Sequence, residues 1–231
     1  MKILALVTAR KGSKRLHNKN IRLLGNKPLI VWTINSAKNI PEICDILVST
    51  DDQAVMSISK DIGAYVPWLR PVDLATDTAS SVDVALHALN WYESERGAVD
   101  GILLLQPTSP FRSKETIQRG IELFKKYNCL PVLGVSPVNS HPMWTLKMEG
   151  ECLAPFFENH GFDKRSQDLP PAYVVNGSFY LLRTSQLRGS RSFVALNAMP
   201  LVVHQPEEAL DIDTAWDFTI AELIAKKIHA L

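Results

Sequence analysis

The stretch "ILALVTARKGSKRLHNKN", residues 3–20, joins an apolar run to a strongly basic one. Ile3 to Thr8 has the continuous apolar character of a strand that is buried on both faces of a sheet. The loop that follows carries five cations: Arg10, Lys11, Lys14, Arg15 and Lys19. Arginine forks onto phosphate oxygens and lysine acts as a point charge. The stretch therefore predicts a binding loop for a polyanion such as a triphosphate, with a solvated basic loop as the alternative.

The basic charge is local, because the chain of 231 residues has 25 Lys and Arg against 24 Asp and Glu, a net charge of +1. This balance does not indicate broad affinity for nucleic acid. A hydrophobic fraction of 46% is typical of a globular protein and argues against disorder. The glycine-rich motifs G-x-x-x-x-G-K-[ST] and G-x-G-x-x-G do not occur in the sequence. Their absence argues against P-loop kinases and dinucleotide dehydrogenases.

The cysteines indicate a reducing compartment. Cys44, Cys129 and Cys152 are widely spaced and include no C-x-x-C pair, which argues against a disulfide framework and a structural zinc site. The apolar run after Lys2 is too short for a signal peptide, and no run of about 18 apolar residues follows. We therefore expect a cytoplasmic protein that does not enter a membrane.

Strand and helix patterns alternate along the chain. Further strands are predicted at "DILVSTDD" (45–52), "VDGILLLQ" (99–106) and 130–136, with later ones in "VVNGSFYLLR" and "PLVVHQ". The stretch "AYVPWLRP" (64–71) predicts a short strand and a proline-bounded loop. Helices are predicted from Pro28, over residues 53–61, and after N-caps at Ser80 or Ser81, at Ser113 and near Asp213. This alternation predicts an α/β, Rossmann-like three-layer fold with a mostly parallel sheet.

One region interrupts the alternation. Residues from about 137 to 175 read as a hairpin around Glu149 and Gly150, followed by a proline-rich polar segment. We expect a single domain over residues 1–231 with this region as an insertion or arm.

Polar clusters follow the predicted strands, at the edge where ligands bind in open α/β sheets. Asp211 and Asp213 alternate on an extended segment, so their carboxylates point to one side and could hold one Mg²⁺. The alternative is that Asp213 only caps the last helix. Gln106 follows the most apolar strand and is a candidate to contact a ligand.

Six motifs in order resemble one family: "ARKGSKRLHNKN", "STDD", "RPVDLATDTASS", "LLQPTSPFR", "VNGSFYLL" and "DIDTAWDF". Together they are similar to the CMP-sialic acid synthetases, the acylneuraminate cytidylyltransferases, from about residue 3 to 220. The resemblance implies a cytidylyltransferase that joins CTP to a nonulosonic acid with release of pyrophosphate. It also implies Mg²⁺ as cofactor and a homodimer that uses the arm near 140–175.

The resemblance also implies roles for individual residues. Catalytic roles fall on Arg10, Lys19 and Arg165. Nucleotide contacts fall on Arg10, Lys14, Asn20, Arg70, Ser80 and Ser81, and contacts to the sugar acid fall on Gln106, Arg165, Asn176 and Tyr180. Asp211 and Asp213 are the implied metal ligands.

Two departures from the family pattern leave the sugar open. The family usually has glycine where Arg15 stands, and the resulting "SKRL" resembles the KDO cytidylyltransferases, which use a smaller acidic sugar. Trp144 stands in "SHPMW" where sialic acid enzymes tend to have lysine, and its apolar ring favours a deoxygenated, diacylamino sugar such as legionaminic acid. A sugar-nucleotide-binding protein without turnover is the alternative from another class.

Overall fold

The computed structural model describes residues 1–13, 15–195 and 197–229. The strands of these residues are, in chain order, β1 (Ile3–Thr8), β2 (Leu23–Leu24), β3 (Lys27–Pro28), β4 (Ile43–Ser49), β5 (Gly101–Leu105), β6 (Val132–Pro137), β7 (Leu146–Glu149), β8 (Cys152–Pro155), β9 (Tyr173–Arg183) and β10 (Met199–Val202). Six of them form the central sheet, in the order β10-β6-β9-β5-β1-β4. β1 is parallel to β4 and β5, β10 is parallel to β6, and β9 is antiparallel to both of its neighbours. The mostly parallel sheet is as predicted.

The helices are α1 (Leu29–Ala37), α2 (Gln53–Asp61), α3 (Ser81–Arg96), α4 (Lys114–Lys126), α5 (Thr184–Ser190) and α6 (Ala215–His229). The predicted caps at Ser80 and Ser113 are confirmed, because the two side chains accept hydrogen bonds from the backbone of Val82 and Thr116. Pro28 directly precedes α1 instead of opening it. α2 ends as predicted before Gly63, whose φ of 82° few other residues adopt easily.

Side chains of β1 alternate between two hydrophobic cores, as expected for a central strand with both faces covered. Ile3, Ala5 and Val7 pack in a core with α1, α2 and α4, whereas Leu4 and Leu6 pack in a core with α3 and α5. The three-layer prediction is therefore confirmed. α6 packs in a separate apolar cluster with Leu16, Leu24 and Phe111.

Within residues 64–71 the predicted short strand is wrong, whereas the predicted proline-bounded loop is confirmed. The structure has a single bridge there, between Tyr65 and Leu47. Pro67 and Pro71 lack the backbone N–H that a longer ladder would need, and the chain instead runs as a loop along the edge of β4.

The arm region contains the predicted hairpin. β7 and β8 pair antiparallel around Gly150, whose φ is 63°. Large apolar side chains of this region face solvent: Leu146, Met148, Leu153, Phe156, Phe157 and Phe162. Across the described part of the chain, no helix is both long and apolar enough to cross a membrane.

Candidate active site

A cavity of about 450 Å³ opens where β1 and β5 end. Its walls come from the basic loop, the segment after β5 and the segment before α6. The lining residues are Thr8, Arg10, Ser13, Arg15, Lys19, Asn20, Gln106, Pro107, Thr108 and Asp213. The site therefore lies beyond the carboxyl ends of parallel strands, where the sheet topology predicts it.

The basic loop is fixed by its own polar side chains. Asn20 is buried, and its Nδ2 donates to the backbone carbonyl of Arg10 at 3.0 Å. Lys19 starts a short 3₁₀ turn, Lys19–Ile21, and its Nζ donates to the carbonyl of Ile212 at 3.0 Å. The loop thus folds back so that both ends of its cationic run face one cavity.

Asp213 is the common partner of two cations. Its Oδ1 lies 3.3 Å from Nζ of Lys19, and its Oδ2 accepts from Nη2 of Arg15 at 2.7 Å. The alternative that Asp213 only caps α6 is wrong, because that cap is built by Thr214 and Asp217. Asp217 accepts from the backbone of Thr214 at 2.7 Å, and the Thr214 hydroxyl accepts from the backbone of Asp217 at 3.2 Å.

Asp211 lies beside this group in an unfavourable environment for a carboxylate. Partial removal from water raises the pKa of Asp211, and repulsion from Asp213 adds to that rise. A hydrogen bond with Thr108 and attraction to Lys19 offset part of it. Two neighbouring carboxylates of this kind fit a hard divalent cation such as Mg²⁺, which would relieve their repulsion. No cluster of three or more His, Cys, Asp or Glu ligands occurs in the described residues, so further ligands would have to come from substrate or water.

A second cavity, of about 280 Å³, shares Thr8 and Arg10 with the first. Arg70 and Ser81 line it together with the loop before α3. Arg70 is buried, and its guanidinium donates to the side chain and the carbonyl of Ser49 at 3.0 and 2.5 Å. Burial lowers the pKa of Arg70 to about 10, so the group is still a cation at neutral pH. Arg10 lies between the two cavities and pairs with Asp77 at 2.5 Å.

Gln106 lies against the backbone of β9. Gly177 has a φ of 73°, and a Cβ at this position would lie 2.8 Å from Oε1 of Gln106. The glycine therefore leaves the space that the Gln106 side chain uses at the wall of the first cavity.

The structure brings together most of the residues that the sequence selected. Arg10, Lys19, Asn20, Gln106 and Asp213 line the first cavity, and Arg10, Arg70 and Ser81 line the second. Asp211 contacts Thr108 of the first cavity, and its charge raises the pKa of Tyr180 further than burial alone does. Lys14 lies outside the described residues.

Five of the selected residues that the structure describes line neither cavity: Asp211 and Tyr180, which lie beside the first one, and Ser80, Asn176 and Arg165. The Ser80 hydroxyl caps α3. Asn176 is buried, where its amide bonds Ser136 at 2.9 Å and the Ser178 hydroxyl at 2.7 Å. Arg165 is exposed in the arm region. The roles that the resemblance implies for these residues stay predictions.

Sequence reasoning did not select Asp77, Arg15 or Arg112 as site residues. Asp77 stands inside the quoted motif "DTASS", and Arg112 closes "QPTSPFR". The signal available in the sequence was that both residues belong to these motifs. Their partners are distant, because Asp77 pairs with Arg10, 67 residues away, and Arg112 donates to Ser178, 66 residues away. Such pairings become visible only in the folded chain.

Comparison with known proteins identifies the family. The cytidylyltransferase family model matches residues 4–140. A CMP-N,N'-diacetyllegionaminic acid synthase of Legionella pneumophila is 38% identical over 96% of this chain and 95% of its own length. An N-acylneuraminate cytidylyltransferase of Escherichia coli is 32% identical over 98% of this chain, which spans 52% of that protein.

Solved structures support the same fold. A CMP:2-keto-3-deoxy-manno-octonic acid synthetase complexed with CTP has a TM-score of 0.69 at 16% identity, covering 98% of this chain and all of that one. A 4-diphosphocytidyl-2C-methyl-D-erythritol synthase of Anaerococcus prevotii has a TM-score of 0.66 at 13% identity, covering 97% and 98% of the two chains. These two structures show the fold, and the family model together with the 38% identical relative shows that the chain belongs to the cytidylyltransferase family of nucleotidyltransferases.

Proposed function

We propose that this protein transfers the CMP group of CTP to a nonulosonic acid, releasing pyrophosphate. The observation that carries the proposal is a pair of neighbouring cavities that share Thr8 and Arg10. The first is lined by the cations Arg10, Arg15 and Lys19, and the second is lined by buried Arg70. A triphosphate of about four negative charges matches the cationic wall of the first cavity, and the base and ribose match the second cavity. The sugar acid is then expected against the wall of the first cavity that Gln106 forms. The relatives named for legionaminic and acylneuraminic acids support the acceptor class.

The proposed reaction needs positioning and charge neutralisation more than covalent catalysis. The anomeric hydroxyl of the sugar attacks the α-phosphate of CTP, and the bond to the departing pyrophosphate breaks in line with the attack. Arg10 and Lys19 lie in the cavity where negative charge would develop on the phosphate oxygens. Their placement on a loop that Asn20 fixes keeps the cations oriented before substrate arrives.

We propose Mg²⁺ as the cofactor, held by Asp211 and Asp213 together with phosphate oxygens. The ion would neutralise charge on the triphosphate and lower the pKa of a bound hydroxyl. Lys19 and Arg15, which pair with Asp213 in the structure, would then be attracted to the phosphates.

The acceptor we favour is N,N'-diacetyllegionaminic acid. The greater identity to the Legionella protein than to the sialic acid protein of E. coli supports it, as does the apolar Trp144. KDO is the second candidate because of Arg15, which lines the first cavity. The likeness to the KDO synthetase structure concerns the fold alone.

We also propose a homodimer in the cytoplasm. The apolar side chains on the exposed hairpin of β7 and β8 support a contact between copies, because monomers rarely expose such patches. The three free thiols Cys44, Cys129 and Cys152 support a reducing compartment.

Pyrophosphate release tests the proposal. Protein, CTP and Mg²⁺ are mixed with legionaminic, sialic, pseudaminic or KDO acid, and Asp211→Ala serves as the control. We expect turnover of diacetyllegionaminic acid with the highest kcat/KM, lost in the variant. Preference for sialic acid would overturn the choice of sugar, and silence with all four acids while CTP binds would favour a binding protein without turnover.

A further inference from the structure

Arg112 lies behind the wall of the first cavity and is only 2% exposed. Its Nη2 donates to the carbonyl of Gln106 at 3.1 Å, and its Nε donates to the carbonyl of Ser178. One guanidinium thus joins the end of β5, where Gln106 lines the cavity, to the middle of β9.

The part of β9 that Arg112 contacts is a bulge. The pairing of β9 with β6 passes from Tyr180 opposite Leu133 to Val175 opposite Val135, which leaves more residues on β9 than on β6 between the two pairs. Inside the bulge, Oδ1 of Asn176 accepts from both the backbone and the hydroxyl of Ser178. These bonds hold the bulge in one shape.

Gln106 is therefore held from two sides. Arg112 holds its backbone carbonyl, and its side chain lies over Gly177, where an added Cβ would come within 2.8 Å of Oε1. Glycine has no Cβ and readily adopts a φ of 73°, so Gly177 keeps this space open for the Gln106 side chain. The side chain of Gln106 is thereby kept against one face of the cavity.

Stability alone is a poor explanation for a buried guanidinium here. Nη1 of Arg112 and Oε2 of Glu208 are buried without a hydrogen-bond partner in the described part of the chain. Incompletely satisfied buried charges often stabilise a fold no better than apolar side chains of similar size. The bonds that Arg112 does make end on the cavity wall and on the bulge that supports it.

We propose that Arg112 is a positioning residue that, through Gln106 and the β9 bulge, sets the binding of the sugar acid. The inference rests on the proposed function, and it extends that function to a residue outside the cavity. Arg112 touches no substrate in this scheme, and the effect of its loss should fall on the acceptor and not on CTP.

Steady-state kinetics on the full-length protein test the proposal. Arg112→Lys keeps the charge but loses the guanidinium that donates to two carbonyls at once. We expect KM for the sugar acid to rise about 10-fold while KM for CTP changes less than about 2-fold. Gln106→Ala should act in the same direction. The double variant Arg112→Lys/Gln106→Ala should be no worse than Gln106→Ala alone, because residues that act through one group are not additive.

Gly177→Ala is a second variant, for the case that Arg112→Lys does not fold. The new Cβ displaces the Gln106 side chain, so KM for the acid should rise with Arg112 intact. Gly97→Ala is its matched control, because Gly97 also has a positive φ, of 85°, but nothing lies within 4 Å of its added Cβ. Both substitutions place an alanine at a positive φ, but only the Cβ at position 177 meets Gln106, so only Gly177→Ala should affect the acid.

The outcomes separate this inference from the function itself. If the wild type releases pyrophosphate and Arg112→Lys raises both KM values together, or if the double variant is additive, Arg112 is only structural and the inference is wrong. If the wild type binds CTP but turns over no acid, the proposed function fails and this inference fails with it. Turnover by the wild type therefore tells the two failures apart, and direct CTP binding by each variant, measured by fluorescence, checks that the affinity for CTP is unchanged.

Discussion

Lys19 combines burial, two hydrogen bonds and a place in the triphosphate cavity. Its side chain is only 12% exposed, and Nζ bonds the Ile212 carbonyl and Asp213. We expect Lys19→Met to lower kcat/KM by about 100-fold or more, the usual cost of losing a charge-stabilising donor. Pyrophosphate release at saturating acid measures it. Lys11→Met is the control, since Lys11 carries the same charge in the same loop but does not line the cavity; an equal loss in both variants would contradict a specific role.

Asp211 should reduce the stability of the protein while serving its activity. Its raised pKa means that the native state binds a proton more tightly than the unfolded state does. Stability is therefore lost as pH rises from the unfolded value of about 3.9 through the folded pKa, and the deficit persists at neutral pH. We expect Asp211→Asn to raise the free energy of unfolding at pH 7 and to abolish turnover. Urea titration without added metal checks the first part.

Asp217 gives the opposite comparison, because its pKa is lowered whereas that of Asp211 is raised. Partial burial acts to raise its pKa, but hydrogen bonds from Thr214 and the Asp213 backbone outweigh this, and the pKa is lowered. Its contribution to stability is therefore present above the unfolded pKa and lost as pH falls toward the folded one. Asp217→Asn should destabilise the protein at pH 7, and an equal response of the two variants would contradict the assignment of Asp211.

At the residue scale, the sequence predicted the cations and carboxylates but not their pairing. Arg10, Lys19 and Asp213 were selected because they follow strands of a predicted parallel sheet, and they do line one cavity. That Arg15 pairs with Asp213 across 198 positions depends on how the loop and the segment before α6 pack. No local pattern encodes a contact at that separation.

At the element scale, the start of α3 places two adjacent serines in different roles. Ser80 accepts from the backbone of Val82 as the N-cap, whereas Ser81 is the first helical residue and lines the second cavity. We expect Ser80→Ala to lower the free energy of unfolding by about 1 kcal/mol, the usual cost of a lost cap. Ser81→Ala should leave stability unchanged and raise KM for CTP. Thermal unfolding and initial rates on both variants check this, and the same profile from both would contradict it.

The elements themselves were largely predictable, and the exceptions have local causes. Capping serines and apolar runs fixed the positions of α3, α4, β1 and β5 because such signals act within a few residues. The direction of β9 was not predictable from its apolar pattern. An antiparallel strand between β5 and β6 has the same composition as a parallel one, and only the path of the chain through the arm decides which way it enters the sheet.

At the scale of the whole molecule, the arm exposes large apolar side chains that a monomeric protein would usually bury. Met148 and Leu153 are 65% and 64% exposed on the hairpin of β7 and β8. Arg165 lies in the same region and does not line the cavities of its own chain. If the arm packs against a second copy, Arg165 has a route to the sugar acid in the partner's cavity, which would reconcile its implied role with its position.

Subunit complementation tests this arrangement. Lys19→Met and Arg165→Ala chains carry different tags, are co-expressed, and the hybrid dimer is purified through both tags. In a two-fold dimer where each arm serves the other cavity, one site of the hybrid has Lys19 from one chain and Arg165 from its partner, and the other site has neither. We expect the hybrid to recover about half of the wild-type rate per dimer, while each parent variant is nearly inactive. If Arg165 acted within its own chain, every site of the hybrid would lack one of the two residues, and an inactive hybrid would contradict a contribution from the partner.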